Sequence, residues 1–184
     1  MDLLESTKGI HPFQAMTTST VKGIEISVCG IHELPDYTAK GITHLVSIWN
    51  GSNEDRSRDR RTHQVQHRCS TAQIYWAFFD DVEETYVTFP PTETIVREIL
   101  TFTASLSAGD RFLAHCMAGI SRSTAITFGV LCQHWGPGYE IECFVELKAI
   151  RPDARPNRLV VQHADAILGR GGRMIQAIKD EPWL

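Results

Sequence analysis

Between Arg111 and Trp135 the chain reads as a strand, a very short loop and a helix, and this succession restricts the fold more than any other segment. Arg111 to His115 (RFLAH) is a short, largely apolar run, as in a buried strand, and Gly109-Asp110 turns the chain just ahead of it. A helix begins near Ser121, runs to Trp135 and is closed by Gly136-Pro137-Gly138. Only five residues separate Cys116 from Arg122, so the chain has to turn within that span, and Gly119 gives its middle the needed backbone freedom. A loop of this kind, opening on a helix N-terminus, turns its amide hydrogens inward. Free amides and the helix dipole together favour an anion. The residues that would line it are Met117, Ala118, Gly119, Ile120, Ser121 and Arg122.

Further strands are expected at Ile24 to Cys29, His44 to Trp49 and Gln73 to Phe79, with a helical turn at Ile31 to Leu34 before Pro35. Helical spacing covers Thr92 to Leu106, Glu140 to Ile150 and Asn157 to Leu168. Strands alternating with helices indicate an α/β fold with a mostly parallel sheet. The stretch from Gly51 to Ser70 is rich in Arg, Asp, His and Ser, and reads as a solvated surface loop. Residues 1–20 lack periodicity and read as a flexible tail, leaving 21–184 as a single domain.

Composition narrows the setting. The formal net charge of −4 argues against a nucleic-acid partner. No apolar run approaches the roughly 20 residues that span a bilayer, and Met1 to Ala15 lacks an apolar signal core. Five cysteines, at 29, 69, 116, 132 and 143, are odd in number and show no CxxC spacing, so reduced thiols in a cytoplasmic setting are expected. Cys132 and Cys143 sit among apolar helical residues as small hydrophobes. Cys116 differs: a helix N-terminus and a nearby guanidinium favour the thiolate, which is the nucleophile. Arg122 offers a planar fork for two oxygens of a bound anion, and Ser123 sets a hydroxyl near the sulfur. His115 is read as a buried residue orienting the cysteine from behind.

The run His115-Cys116-Met117-Ala118-Gly119-Ile120-Ser121-Arg122-Ser123 resembles the signature loop of the cysteine-based protein tyrosine phosphatase superfamily, Cys-x5-Arg-Ser/Thr. Its Gly-Ile-Ser-Arg-Ser wording is most similar to the dual-specificity and small bacterial branches. The resemblance implies a central sheet of about four or five strands flanked by helices, and hydrolysis of phosphate monoesters through a phosphocysteine at Cys116. It implies no metal and no cofactor. It also implies an Asp general acid on a mobile loop roughly 30 to 40 residues ahead of the cysteine. Phe78-Phe79-Asp80-Asp81-Val82 falls in that window; Asp81 is favoured and Asp80 is the alternative. The Trp-Pro-Asp wording of the larger tyrosine-specific enzymes is absent. The segment from Arg151 to Gly172 is similar to the C-terminal part of small bacterial phosphatase-like proteins, and is expected to form a helix near the catalytic face.

The expected substrate is a phosphorylated protein or small phosphate ester, phosphotyrosine first and phosphoserine or phosphothreonine beside it. The loop carries no lysine, which disfavours an inositol phosphate, and the acidic charge disfavours an RNA triphosphate. The arginine-rich segment is the feature that could reverse this. A phospho-binding module without turnover is the rival from another class. Oxidation of Cys116, trapped by Cys29, Cys69, Cys132 or Cys143, is a further expectation.

Overall fold

The computed structural model describes residues 18–52 and 56–179, and of 56–61 the backbone alone. A five-stranded sheet runs through the centre in the order β1-β2-β5-β3-β4. These strands are β1 (Ser19–Val21), β2 (Ile24–Gly30), β3 (His44–Trp49), β4 (Gln73–Phe78) and β5 (Arg111–Cys116). β1 pairs antiparallel with β2, and every other pairing is parallel. The expected α/β architecture with a mostly parallel sheet is therefore present.

Helices cover both faces: α1 (Leu34–Thr38), α2 (Arg56–Arg68), α3 (Glu93–Thr103), α4 (Arg122–Trp135), α5 (Glu140–Ile150), α6 (Arg158–Ile167) and α7 (Arg173–Lys179). Side chains alternate across a strand, so neighbours on β5 enter different layers. Phe112 and Ala114 join the larger core with Val28, Val46, Ile99, Phe128 and Val160, while Leu113 joins Cys29, Leu45, Leu34, Tyr37 and Val65 on the opposite face. All six residues of β3 are buried, the mark of a parallel strand covered on both sides. α4 is buried from Arg122 to Cys132 and forms the axis of the helical layer.

Several boundaries differ from the sequence reading, each for a local reason. Residues 1–17 of the expected tail lie outside the described residues, and Ser19 and Thr20 pair with Ile26 and Glu25 instead of belonging to it. The turn is Lys22-Gly23, both at positive φ (50° and 81°), a tight hairpin whose short first strand has little periodicity to reveal it. Pro35 does not end a turn; it lies inside the first turn of α1, where its missing N–H costs nothing. The segment from Gly51 to Ser70 is not a loop throughout, since Arg56–Arg68 is helical. Its one apolar residue within the helix, Val65, is buried, and Cys69 follows it into the core. A single apolar contact per few turns is too sparse for a periodicity argument. α7 was not foreseen.

The four parallel strands end along one edge, at Gly30, Trp49, Phe78 and Cys116. Ligands of open α/β sheets bind in the crevice beyond such carboxyl ends. The segments after all four strands converge there.

Candidate active site

β5 delivers Cys116 to that edge with its side chain 3% exposed. Two hydrogen-bond partners meet the sulfur: Ser123 Oγ at 3.2 Å and the Gly119 amide at 3.3 Å. The other amides of the loop follow from its carbonyls. Met117 O accepts from Ile31 N, and Ala118 O accepts from Arg151 Nη2 at 3.1 Å. Ile120 O accepts from Arg155 N at 2.8 Å, and Ser121 O from Ala125 N and Asn157 N. Each of these partners lies outside the loop. In a trans peptide the N–H points opposite to the C=O, and no cis bond occurs among the described residues. The amides of Ala118, Gly119, Ser121 and Arg122 therefore turn inward. The Gly119 bond to sulfur is the direct instance.

Gly119 is required twice over. Its φ of +72° is left-handed, and a Cβ there would sit 2.4 Å from Gly30 N and 2.5 Å from the Cys29 carbonyl carbon. The loop thus rests on the end of β2. Gly30 N in turn donates to Glu33 Oε2 at 2.7 Å, and Arg151 Nη1 donates to Glu33 Oε1 at 2.7 Å. Burial alone would lower the Arg151 pKa, but the hydrogen bond and charge of Glu33 outweigh it and hold it above the ordinary value. Arg151 therefore clamps β2 and the loop together from outside.

Arg122 is 4% exposed at the start of α4. Its Nη1 donates to Asn50 Oδ1 at 2.9 Å and to Phe79 O at 2.8 Å, groups that follow β3 and β4. Its Nε is buried and has no partner among the described residues. An unpaired buried donor is costly, and an oxyanion held between the inward amides and the guanidinium would satisfy it. His115 lies behind: its Nε2 meets Ser47 Oγ at 2.7 Å, and that hydroxyl also accepts from Trp49 Nε1. Burial pulls the His115 pKa down to about 4, with Arg122 adding in the same direction, so the ring is neutral at physiological pH. Its Nε2 bonds to Ser47, one strand over.

The two acidic candidates part company. Asp80 Oδ1 accepts from Gly51 N at 3.0 Å, behind the Asn50 turn. Asp81 Oδ1 accepts from Ser121 Oγ at 2.6 Å and from Asn157 Nδ2 at 2.9 Å, at the rim of the loop. Asn157 also caps α6 through Val160 N. The Arg151 to Gly172 segment meets the site by its N-terminal end, at Arg151, Arg155 and Asn157, while α6 itself packs on α3, α4 and α7. The structure thus gathers Cys116, Gly119, Arg122, Ser123, Ser121 and Asp81. Sequence reasoning missed Glu33, Asn50 and Asn157 as parts of the site. Asn50-Gly51 was legible only as a turn.

Cys29, Cys69, Cys116, Cys132 and Cys143 are all buried free thiols. No group of three or more potential metal-binding side chains occurs among the described residues, and no described helix is long and apolar enough to cross a membrane.

No protein-family model matches the sequence, and no curated protein does. Solved structures match along nearly the whole chain. A mouse protein assigned as a dual specificity phosphatase, solved with zinc tungstate, aligns with a TM-score of 0.61 at 18% identity over 94% of this chain and 98% of its own. Human DUSP28 gives 0.57 at 15% identity over 86% and 96%. DUSP15 gives 0.55 at 20% identity over 90% and 97%. The chain has the fold of the cysteine-based tyrosine and dual-specificity phosphatases.

Proposed function

We propose that the chain is a cysteine-dependent phosphatase that hydrolyses phosphate monoesters, phosphotyrosine in proteins first, through a phosphocysteine at Cys116. One observation carries the reading. The sulfur lies at the floor of a loop whose Met117, Ala118, Ile120 and Ser121 carbonyls are anchored from outside and whose Gly119 amide already reaches it at 3.3 Å. Such a cradle stabilises charge on the equatorial oxygens of phosphorus.

In the first step Cys116 Sγ attacks phosphorus, the bond to the leaving oxygen breaks, and Asp81 gives that oxygen its proton. The loop amides and the Nε edge of Arg122 hold the phosphoryl oxygens. In the second step water attacks phosphorus, Asp81 takes a proton from it, and the S–P bond breaks. Ser123 Oγ, 3.2 Å from the sulfur, donates to the departing thiolate. The contact of Asp81 with Ser121, at the rim of the loop, favours it as the acid over Asp80, which bonds the Gly51 amide instead. Five buried free thiols support a reducing, cytoplasmic setting.

Turnover of an aryl phosphate by the purified protein tests the reading. Activity is expected to disappear in Cys116→Ser, and a phosphorylated cysteine should be trapped by rapid acid quench of the wild type. Equal rates in the two proteins would rule out the mechanism. Tight phosphopeptide binding by a wild type that releases no phosphate would favour the binding-module alternative. A panel of phosphotyrosine, phosphothreonine and inositol phosphate sets the substrate class.

A further inference from the structure

A groove of about 300 Å³ lies between α1 and the last turn of α2, lined by Ile31, His32, Pro35, Gln64, Arg68 and Met117 among others. We propose that it is a substrate subsite for an acidic side chain flanking the phosphorylated residue. This rests on the phosphatase reading of the Cys116 loop.

The groove shares a wall with that loop. Met117 follows the nucleophile directly, is 37% exposed, and has its carbonyl fixed on Ile31 N at 3.2 Å. A peptide leaving the phosphate cradle on this side passes over Met117 into the groove. An extended chain advances about 3.3 Å per residue, so a near neighbour of the phosphorylated residue arrives there.

Each polar group in the groove can donate, and Arg68 is a cation that can only donate. Arg68, His32 and Gln64 line it, and among the described residues no carboxylate does. Glu33, next to His32, is occupied by Gly30 and Arg151. Arg122 and Arg151 are tied to fixed acceptors, whereas the Arg68 guanidinium forms no hydrogen bond or ion pair among the described residues. Its position in the last turn of α2 suits the helix dipole. That accounts for a cation at this point of the sequence but not for its facing a groove beside the nucleophile. The floor is apolar, with Leu34 and Val65 buried beneath.

The test uses phosphotyrosine peptides carrying a single Glu or Lys at each of three positions on either side of the phosphotyrosine. For the wild type at low salt, Glu is expected to exceed Lys in kcat/KM by about threefold to fivefold at one or two neighbouring positions, through KM, as for a partly exposed ion pair. The ratio should shrink at high salt. Arg68→Glu should reverse it, and Arg68→Gln should bring it near unity. Arg97→Glu, remote on α3, should leave it in place. A flat profile in the wild type, or an acidic preference that survives Arg68→Glu in a protein with wild-type melting, overturns the subsite. If the wild type turns over aryl phosphate while the peptide profile is flat, only the subsite falls. If it turns over neither, the phosphatase reading falls and takes the subsite with it.

Discussion

The loop from Cys116 to Arg122 and the segment that carries Asp81 meet at the same rim but are held in different ways. The loop is fixed through its backbone: its carbonyls bond to Ile31 just past β2, to Arg151, and to Arg155 and Asn157 ahead of α6, and Gly119 is pressed on Gly30. Asp81 is held by two side-chain bonds, to Ser121 and Asn157, in a segment exposed to solvent, with Tyr86 86% exposed. Phe89, where that segment folds back on Asp80 N, adopts a left-handed φ of 54°. The difference suits the chemistry proposed above. Charge stabilisation acts through preorganised dipoles that do not rearrange during reaction. A general acid acts only as the leaving group departs, and suits a segment that can open and close.

Gly119→Ala is the severest way to break the rigid half. The added Cβ meets backbone on β2 at 2.4 Å, which cannot yield as a flexible side chain would. The loop must shift, and kcat/KM is expected to fall by about 10³-fold, in the range for losing oxyanion donors. The loss should be the same for phenols of every acidity, because the amides serve the phosphoryl group and not the leaving group. A loss under tenfold would show that the loop yields easily.

Asp81→Asn probes the other half. The amide keeps an acceptor for Ser121 and Asn157, so position is preserved while the proton is lost. Rates are expected to drop about 10²-fold for poor leaving groups, and the deficit should narrow as the phenol becomes more acidic. A plot of log kcat against leaving-group pKa separates this from Gly119→Ala. If Asp80→Asn steepens the plot and Asp81→Asn does not, the acid is Asp80.

The contrast also explains what the sequence disclosed. Cys116 through Ser123 is contiguous, so strand, loop, helix and nucleophile could be read together, and Glu140–Ile150 was placed to the residue because an apolar core and Pro152 bound it. Asn50, Glu33 and Asn157 come from three separate strand or helix ends that meet only once the sheet forms. Nothing local distinguishes them from other turn or cap residues. Spacing favours Asp81 over Asp80 by one residue only, and what sets the two apart in space is again remote in sequence. The partners, Gly51 for one and Ser121 for the other, are 29 and 40 residues distant.

Arg151→Met tests the clamp, with an intermediate effect. It removes the bond to Ala118 O and leaves Glu33 with Gly30 N alone. About tenfold in kcat/KM is expected, independent of leaving group, because the clamp serves the rigid half. Glu33→Gln should cost a similar amount. The double variant should cost less than the product of the two, as for residues in one network.

The smallest effect is expected at Asn157, which belongs to both halves. Its Nδ2 holds Asp81 Oδ1 and Val82 O, its Oδ1 caps α6, and its backbone N–H reaches Ser121 O. Asn157→Ala removes the cap, worth about 1 kcal/mol, and one of the two bonds on Asp81. Ser121 still holds the carboxylate, so the rate should fall only about threefold, and only for poor leaving groups. Asn157→Asp separates the two duties, because it restores a cap acceptor but offers no amide donor to Asp81. Its melting temperature should recover towards wild type while its rate deficit persists. Recovery of rate together with stability would mean that Asn157 acts on the site through α6 alone, and that Ser121 suffices to hold the acid.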